Sequence, residues 1–264
     1  MEYDATYFTE ESPENGHRDF LSPWAQHYDE VRFGRELDDF LPRPGILLDV
    51  GAATGSFLSI AATRGWHSIG VEVSEAARAI AASHGHHCVA TMQEARDFGP
   101  FDAVTMHHVL EHLDDPVAVI RDALSMLRPE GRLLIEVPNW ASLERRACGA
   151  AWVDLRPEQH LRQFEPATLR RVLIAAGARV ELITTLGSPM PTSEELLTAI
   201  GAPLPAVRRL AGAAATVQSN HAFGNGGDAA GGRTRQAIKA RIARWQERLL
   251  AQRWGKRLVA IATP

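Results

Sequence analysis

The segment from Leu47 to Phe57 reads LLDVGAATGSF, an apolar run that ends in an acid and is followed by closely spaced glycines. A buried strand that leads through a glycine turn into a helix is typical of sites for nucleotide-like ligands. The dinucleotide pattern needs glycine at three positions, but the second is Ala53 here and the third is Phe57. A pyrophosphate would meet a methyl group and a ring, so the loop favours a ligand with no phosphate, whose amino-acid end lies over the backbone.

Two acids accompany this loop. Glu72 lies near the end of the second predicted strand, about 20 residues beyond the loop, where a carboxylate accepts both ribose hydroxyls of an adenosine ligand. A solvated acid at a helix start is the structural alternative for Glu72. Asp49 ends the first strand and either bonds an ammonium group of the ligand or holds the amides of the loop.

Histidines cluster at the end of the fourth predicted strand, in HHVLEH (107–112). His108, Glu111 and His112 have the H-x-x-E-H spacing of one group of zinc proteases, and positions i and i+4 share one helix face. A protease would need a third ligand on a long helix, whereas this motif directly follows a strand. The spacing therefore favours a loop-fixing or site role over peptidase chemistry.

His160 lies in RPEQHLRQF (156–164), a predicted loop just before a helix, and loops of this kind often carry function. It is the first candidate for a general base, with His107 or His112 second, because a neutral imidazole can take a hydroxyl proton near pH 7. A histidine that bonds the backbone to hold the loop is the structural alternative.

The elements that position these residues alternate between strands and helices, which predicts an α/β fold with a doubly wound, mostly parallel sheet. Strands are predicted at 46–50, 67–74, 86–91, 101–107, 131–138, 178–185 and 257–263, and helices at 56–64, 75–83, 116–127 and 167–177. Residues 188–256 separate the last two strands and are predicted to form a helical insertion. The segment 233–257, which runs to the start of the last strand, has nine Lys and Arg and one acid. This indicates either the solvated face of an amphipathic helix or a lid for an anionic substrate.

Composition sets the wider limits. The chain has 264 residues, a net charge of −4 and two cysteines, so it gives no reason to expect nucleic acid, and a reducing cytoplasm is the expected location. The polar, acidic N-terminus is unlike a signal peptide, and no apolar run approaches the roughly 18 residues that span a membrane.

Five segments together resemble the class I S-adenosylmethionine-dependent methyltransferases, namely LLDVGAATGSFL, GVEVS, FDAVTMHHVLEHLDDP, MLRPEGRLLIEVPN and WVDLRPEQHLRQFEPATLRRVLIAAGARV. More narrowly they are similar to the branch with the ubiquinone-biosynthesis O-methyltransferases and many sugar and natural-product enzymes. The resemblance covers about residues 3–187 and the last strand. It implies a Rossmann-like sheet of seven strands, the last inserted antiparallel between the fifth and sixth.

The resemblance also implies site roles. Glycine-loop residues lie against the methionine part of S-adenosylmethionine, Glu72 binds its ribose, and His107 faces the methyl group. The loop residues are Gly51, Ala52 and Gly55, and the residues implied near adenine are Met92 and Gln93. Enzymes of the family often have an acid after the third strand, where this chain has Thr91-Met92-Gln93.

In some enzymes of this branch the LEH segment binds a divalent ion, which would match His108, Glu111 and His112. Magnesium prefers oxygen ligands, and the first of these positions is a histidine here. We therefore predict no metal ligands and keep a divalent ion as the alternative.

The predicted function is methyl transfer from S-adenosylmethionine, leaving S-adenosylhomocysteine, to a small-molecule acceptor. A hydroxyl acceptor in secondary-metabolite, sugar or quinone biosynthesis is favoured. Nitrogen or carbon acceptors, an NAD-dependent oxidoreductase and a binding module without catalysis stay open. The predicted organisation is a core at 1–187 with an N-terminal cofactor-covering segment, an insertion at 188–256 acting as lid or dimer contact, and a last strand at 257–264. We expect a monomer or homodimer without nucleic acid or a membrane span.

Overall fold

The computed structural model describes residues 23–186 and 256–264. Within them the helices and strands follow in the order α1 (Pro23–Phe40), β1 (Ile46–Val50), α2 (Ser56–Thr63), β2 (His67–Val71), α3 (Glu75–Ser83), β3 (His87–Val89), α4 (Met92–Ala95), β4 (Phe101–His107), α5 (Pro116–Met126), β5 (Leu127–Pro138), α6 (Leu143–Cys148), α7 (Pro166–Ala175), β6 (Arg179–Leu186) and β7 (Arg257–Thr263). Single turns of 3₁₀ helix lie at Arg96–Phe98, Leu110–His112 and Gly149–Ala151.

The strands form one seven-stranded sheet in the order β3-β2-β1-β4-β5-β7-β6. β1 pairs in parallel with both β2 and β4, and β2–β3 and β4–β5 are parallel as well. This confirms the predicted α/β, doubly wound sheet, with the last strand between the fifth and sixth. The order reverses between β1 and β4, and ligands of open α/β sheets bind at the carboxyl ends of the strands beside such a reversal.

The central strands are covered on both faces, which explains their nearly continuous apolar sequence. Leu47 and Leu48 of β1, Val104 of β4 and Leu133 of β5 are all fully buried. Each such side chain contributes about 2 kcal/mol relative to an exposed one, so the sheet forms a rigid base for the loops at its ends.

Local signals set the helix starts. Asp115 caps α5 by accepting from the amide of Ala118 at 3.0 Å, and Pro116 occupies the first turn, as its position in the sequence predicted. Ser74 caps α3 in the same way by accepting from Ala77. These caps fix where the chain leaves the loops at the carboxyl edge of the sheet.

Several elements differ from the sequence prediction. β2 and β3 are shorter than predicted, and the short helices α4 and α6 were not predicted. β5 begins at Leu127 rather than at residue 131, because Phe101 of β4 pairs with Leu127 before the register shifts. α1 was not predicted as a helix, although its residues Phe33 and Leu37, and Leu41 directly after it, are buried in the core. The predicted insertion at 188–256 and the first 22 residues lie outside the described residues, apart from Lys256.

The described chain divides into two compact units. The first comprises residues 23–138, 156–183 and 258–264, and it holds most of the sheet. The second comprises 139–155 together with 184–186 and 256–257. Within it Trp152 is buried and packs edge-on against Trp140, with ring centroids 6.0 Å apart. Across the described ranges, no helix combines the length and apolar character that crossing a bilayer requires.

Candidate active site

Several backbone amides of the glycine loop between β1 and α2 donate hydrogen bonds to other groups of the protein. Gly51 and Ala52 both donate to the carbonyl of Val71, at 2.7 and 3.0 Å, and Gly55 donates to Ala52 at 2.9 Å. The amide of Ala53 donates to Oε2 of Glu72 at 2.9 Å. Phosphate-binding loops instead direct free amides at the ligand. Four amides of the loop are thus already bonded within the protein, which agrees with the predicted ligand without a pyrophosphate.

Close packing explains why glycine stands at position 51. Gly51 has φ +80°, and a β-carbon there would lie 2.5 Å from Cγ2 of Val109. Ala53 also has a positive φ, 46°, which is uncommon for a residue with a side chain. The loop thus lies directly beneath the segment that follows β4, and the two together line the carboxyl edge of the sheet.

Glu72 is buried at the end of β2 and holds two loops at once. Its Oε2 accepts from Ala53 and its Oε1 accepts from the amide of Ser74 at 2.8 Å. Each carboxylate oxygen has a second lone pair, so the group can still accept from a pair of hydroxyls. The solvated-acid alternative is wrong for Glu72, and its contact with ribose stays a prediction.

Asp49 is buried and bonds to β4. Its Oδ1 accepts from the hydroxyl of Thr105 at 2.7 Å and lies 3.6 Å from Nδ1 of His107. The amides of Gly51, Ala52, Ala53 and Gly55 donate to other groups, so these four are not held by Asp49. Its other proposed role, bonding the ligand's ammonium group, stays a prediction.

Met92 and Gln93, which the resemblance places near adenine, open α4 after the cap residue Thr91. Met92 is half-buried and Gln93 is exposed. Val73, directly after Glu72, has 73% of its surface exposed, more than any other large apolar residue of the described chain. The sequence analysis did not identify Val73 as a site residue. An apolar residue directly after Glu72, the acid predicted to bind ribose, was a usable signal for contact with a flat ligand.

His107 ends β4 inside a closed pocket. Its ring lies 4.8 Å from that of Phe33 and 4.6 Å from that of Phe57, measured between centroids. Nε2 lies 2.9 Å from Oε2 of Glu36 on α1. The side chain is only 8% exposed, so it faces α1 and α2 rather than an open crevice.

The charged groups in this pocket shift the pKa values of His107 and Glu36. Burial alone would lower the pKa of His107, but the contacts with Asp49 and Glu36 outweigh it and raise the pKa to about 9. Burial, with Glu136 nearby, raises the pKa of Glu36 above its ordinary value. His107 is therefore a cation at neutral pH, and this disfavours it as a general base.

His108 occupies a second charged pocket beside the first. Nδ1 lies 3.1 Å from Oε1 of Glu111, and Nε2 lies 3.1 Å from Oε1 of Glu136. Burial again opposes the charge, but these two carboxylates raise the pKa of His108 to about 9. Arg32 of α1 contacts both Glu136 and Glu36, so the two pockets share one network.

The other two candidate histidines, His112 and His160, lie next to each other on separate loops. The rings of His112 and His160 lie 4.8 Å apart between centroids, nearly perpendicular. Nδ1 of His112 lies 3.1 Å from the carbonyl oxygen of Gln159. Since a carbonyl only accepts, Nδ1 carries a proton, and in the neutral ring Nε2 then has the lone pair. The structure thus brings together His160, the first base candidate, and His112, one of the two second candidates, whereas His107 contacts Phe33, Phe57 and Glu36.

The divalent ion implied by the LEH segment does not fit the set His108, Glu111 and His112. A ligating histidine needs a lone pair, and both ring nitrogens of His108 face carboxylates. Within the described chain a different set, Glu111, His112 and His160, has one ligand-type atom each within 4.8 Å of one another. That spacing also suits hydrogen-bonded side chains, and the prediction of no metal ligands stands untested.

Sequence reasoning missed Arg32, Glu36 and Glu136. Arg32 and Glu36 lie 104 and 71 residues from their partners Glu136 and His107, so no local pattern reveals them. Glu136 did carry a signal, because it is an acid inside the apolar strand sequence LLIEVP and is fully buried.

A family model described as a methyltransferase domain matches residues 25–183 of this chain. The chain belongs to this family. Its seven-stranded sheet and glycine loop are those of class I S-adenosylmethionine-dependent methyltransferases, as the sequence resemblance implied.

A ubiquinone biosynthesis O-methyltransferase of Marinobacter nauticus is 37% identical over 103 residues, which are 35% of this chain and 43% of that protein. The matched part thus spans less than half the length of this relative. A S-adenosylmethionine-dependent methyltransferase from Archaeoglobus fulgidus has a similar structure, with TM-score 0.52, 20% identity and 89% of this chain and 94% of that chain covered. The [4+2]-cyclase SpnF is similar as well, at TM-score 0.54 and 22% identity, covering 94% of this chain and 84% of that one. These two likenesses support the fold, which also serves chemistry other than methyl transfer.

Proposed function

We propose that this protein transfers the methyl group of S-adenosylmethionine to a hydroxyl group of a small-molecule acceptor. The sulfonium is already activated, so the protein mainly has to align an oxygen nucleophile with the methyl carbon at about 3 Å. A base then takes the hydroxyl proton. The carboxyl edge of the sheet holds groups suited to both tasks.

The cofactor assignment is supported by the glycine loop and Glu72. The amides of Gly51, Ala52 and Ala53 bond within the protein, which disfavours the pyrophosphate of NAD and with it the oxidoreductase alternative. Glu72 remains able to accept from two ribose hydroxyls. When bound, S-adenosylmethionine supplies the electrophilic methyl group.

The hydroxyl assignment rests on one observation, the hydrogen bond from Nδ1 of His112 to the Gln159 carbonyl. It fixes the tautomer and leaves Nε2 as the basic atom, in the arrangement that a general base needs. His160 lies beside it and is the second candidate. The naming of the relatives as O-methyltransferases agrees with an oxygen acceptor.

The cofactor is tested by calorimetric titration with S-adenosylhomocysteine beside NAD. We expect saturable binding of the first and none of the second. Binding of NAD alone would refute the assignment of the glycine loop.

The base is tested in a methylation assay that pairs S-adenosylmethionine with a panel of phenols, alcohols, amines and activated carbon acids. We expect methylated hydroxyl products, and a fall of about 100-fold in kcat for His112→Gln with unchanged cofactor affinity. His67→Gln, at an exposed position, is the matched control. If only amines are methylated, the hydroxyl assignment is wrong; if His112→Gln keeps full kcat and His160→Gln does not, the base is His160.

A further inference from the structure

Two buried carboxylates at the end of β4 and β5 are joined by a single imidazole ring. Glu111 and Glu136 are 1% and 0% exposed. The two ring nitrogens of His108 lie 3.1 Å from one oxygen of each. Because a carboxylate oxygen only accepts, both nitrogens carry protons and the ring is a cation.

The backbone of His108 is shaped for this position. Its φ is +55°, in the left-handed region that a residue with a side chain rarely adopts. Its amide donates to the carbonyl of Glu136 at 2.9 Å. A conformation of this kind costs free energy and persists only where the surrounding structure fixes it, commonly at functional sites.

The electrostatics require a cation at this point. Two ionised carboxylates that share a buried site repel each other unless a positive group lies between them. Arg32 contacts Glu136 from one side, and His108 is the group that contacts both acids. A bound divalent ion is another way of neutralising acids that lie close together.

We propose that His108 is a built-in cation that positions Glu111 and Glu136, and that it neutralises these two acids in place of a divalent ion. Glu111 is next to His112, the proposed base, and Val109 covers the glycine loop. By holding Glu111 and Glu136, the His108 ring fixes residues 108–112, and the positions of the base and of the glycine loop depend on that segment. Methyl transfer then proceeds without added metal. Only the activity measurement rests on the proposed function; stability and metal binding are measured independently of it.

The test replaces the cationic ring with a carboxylate and measures whether a metal ion then restores the stability of the protein. His108→Glu places a third carboxylate beside Glu111 and Glu136 and should create a requirement for Mg²⁺. We expect a lower melting temperature in EDTA and a saturable rise of about 5 °C with MgCl₂. His108→Lys keeps a cation and should show no response to metal, like the wild type. His67→Glu, an exposed change of the same type, is the control.

Activity gives the second measurement. The wild type and His108→Lys should be unaffected by EDTA, whereas His108→Glu should lose activity in EDTA and regain it with MgCl₂. If His108→Glu does not fold in either condition, His108→Lys is compared with His108→Gln at neutral pH, and greater stability of the lysine variant supports the proposal. Equal stability of those two, equal metal responses in all variants, or saturable stabilisation of the wild type by Mg²⁺ or Zn²⁺ would overturn it.

Discussion

The buried cation His107 should make the stability of this protein fall as the pH rises through 9. The ring lies between Glu36 and Asp49 and is almost fully enclosed. Its pKa is raised from the ordinary 6.5 to about 9. Such a shift corresponds to about 3 kcal/mol of free energy of unfolding.

The sign follows from the direction of the shift. The folded protein holds this proton more tightly than the unfolded chain, so the contribution is complete below pH 6.5 and is lost as the pH rises through about 9. His107→Gln removes it. We expect the variant to be about 2–3 kcal/mol less stable than the wild type at about pH 6 and within about 1 kcal/mol of it above pH 9. The value is an upper limit, because the raised pKa of Glu36 lets that carboxyl take up a proton in the variant.

The measurement is urea unfolding of both proteins at a series of pH values between about 6 and 9.5. His108 also has a raised pKa, but it is present in both proteins, so their difference reports on His107 and on its coupling to His108 through Arg32. His67→Gln, at an exposed position, should follow the wild type throughout. A difference between wild type and His107→Gln that is constant with pH would refute the buried-cation reasoning.

Two further substitutions test the glycine loop and the ribose acid. Gly51→Ala should cost about 3 kcal/mol because Val109 must move, whereas Gly85→Ala, with a similar φ of +86° but no atom within 4 Å, should cost about 1 kcal/mol. Equal losses in urea unfolding would argue against the close packing above Gly51. Glu72→Gln should weaken S-adenosylhomocysteine binding about 10–100-fold in calorimetry, since one charged acceptor is lost. The exposed Glu130→Gln is its control, and unchanged affinity of Glu72→Gln would remove Glu72 from the ribose site.

The fold could largely be predicted from the sequence because buried parallel strands and amphipathic helices have different periods. The run ILLDV became β1, and the helix predicted at 116–127 became α5, Pro116–Met126. α1 was missed because its polar residues outnumber the few apolar ones that anchor it, so its helix depends on packing against the sheet.

Within the candidate site, the sequence predicted only those features that depend on a few neighbouring residues. Ala53 and Phe57 alone disfavoured a pyrophosphate, and the bonded amides of the loop agree with that. The base candidates His112 and His160 were both recognised, but their proximity was not, since they lie on separate loops.

The sequence by itself determined the order of the seven strands, the glycine loop and the acid that follows it, because each depends on residues close together in the chain. Only the tertiary structure decided the ionisation of the histidines. His107 and His108 are adjacent in sequence, yet one faces Glu36 and Asp49 and the other faces Glu111 and Glu136. A pKa is set by burial and by charges that long-range folding brings within about 4 Å, and no local pattern specifies those neighbours.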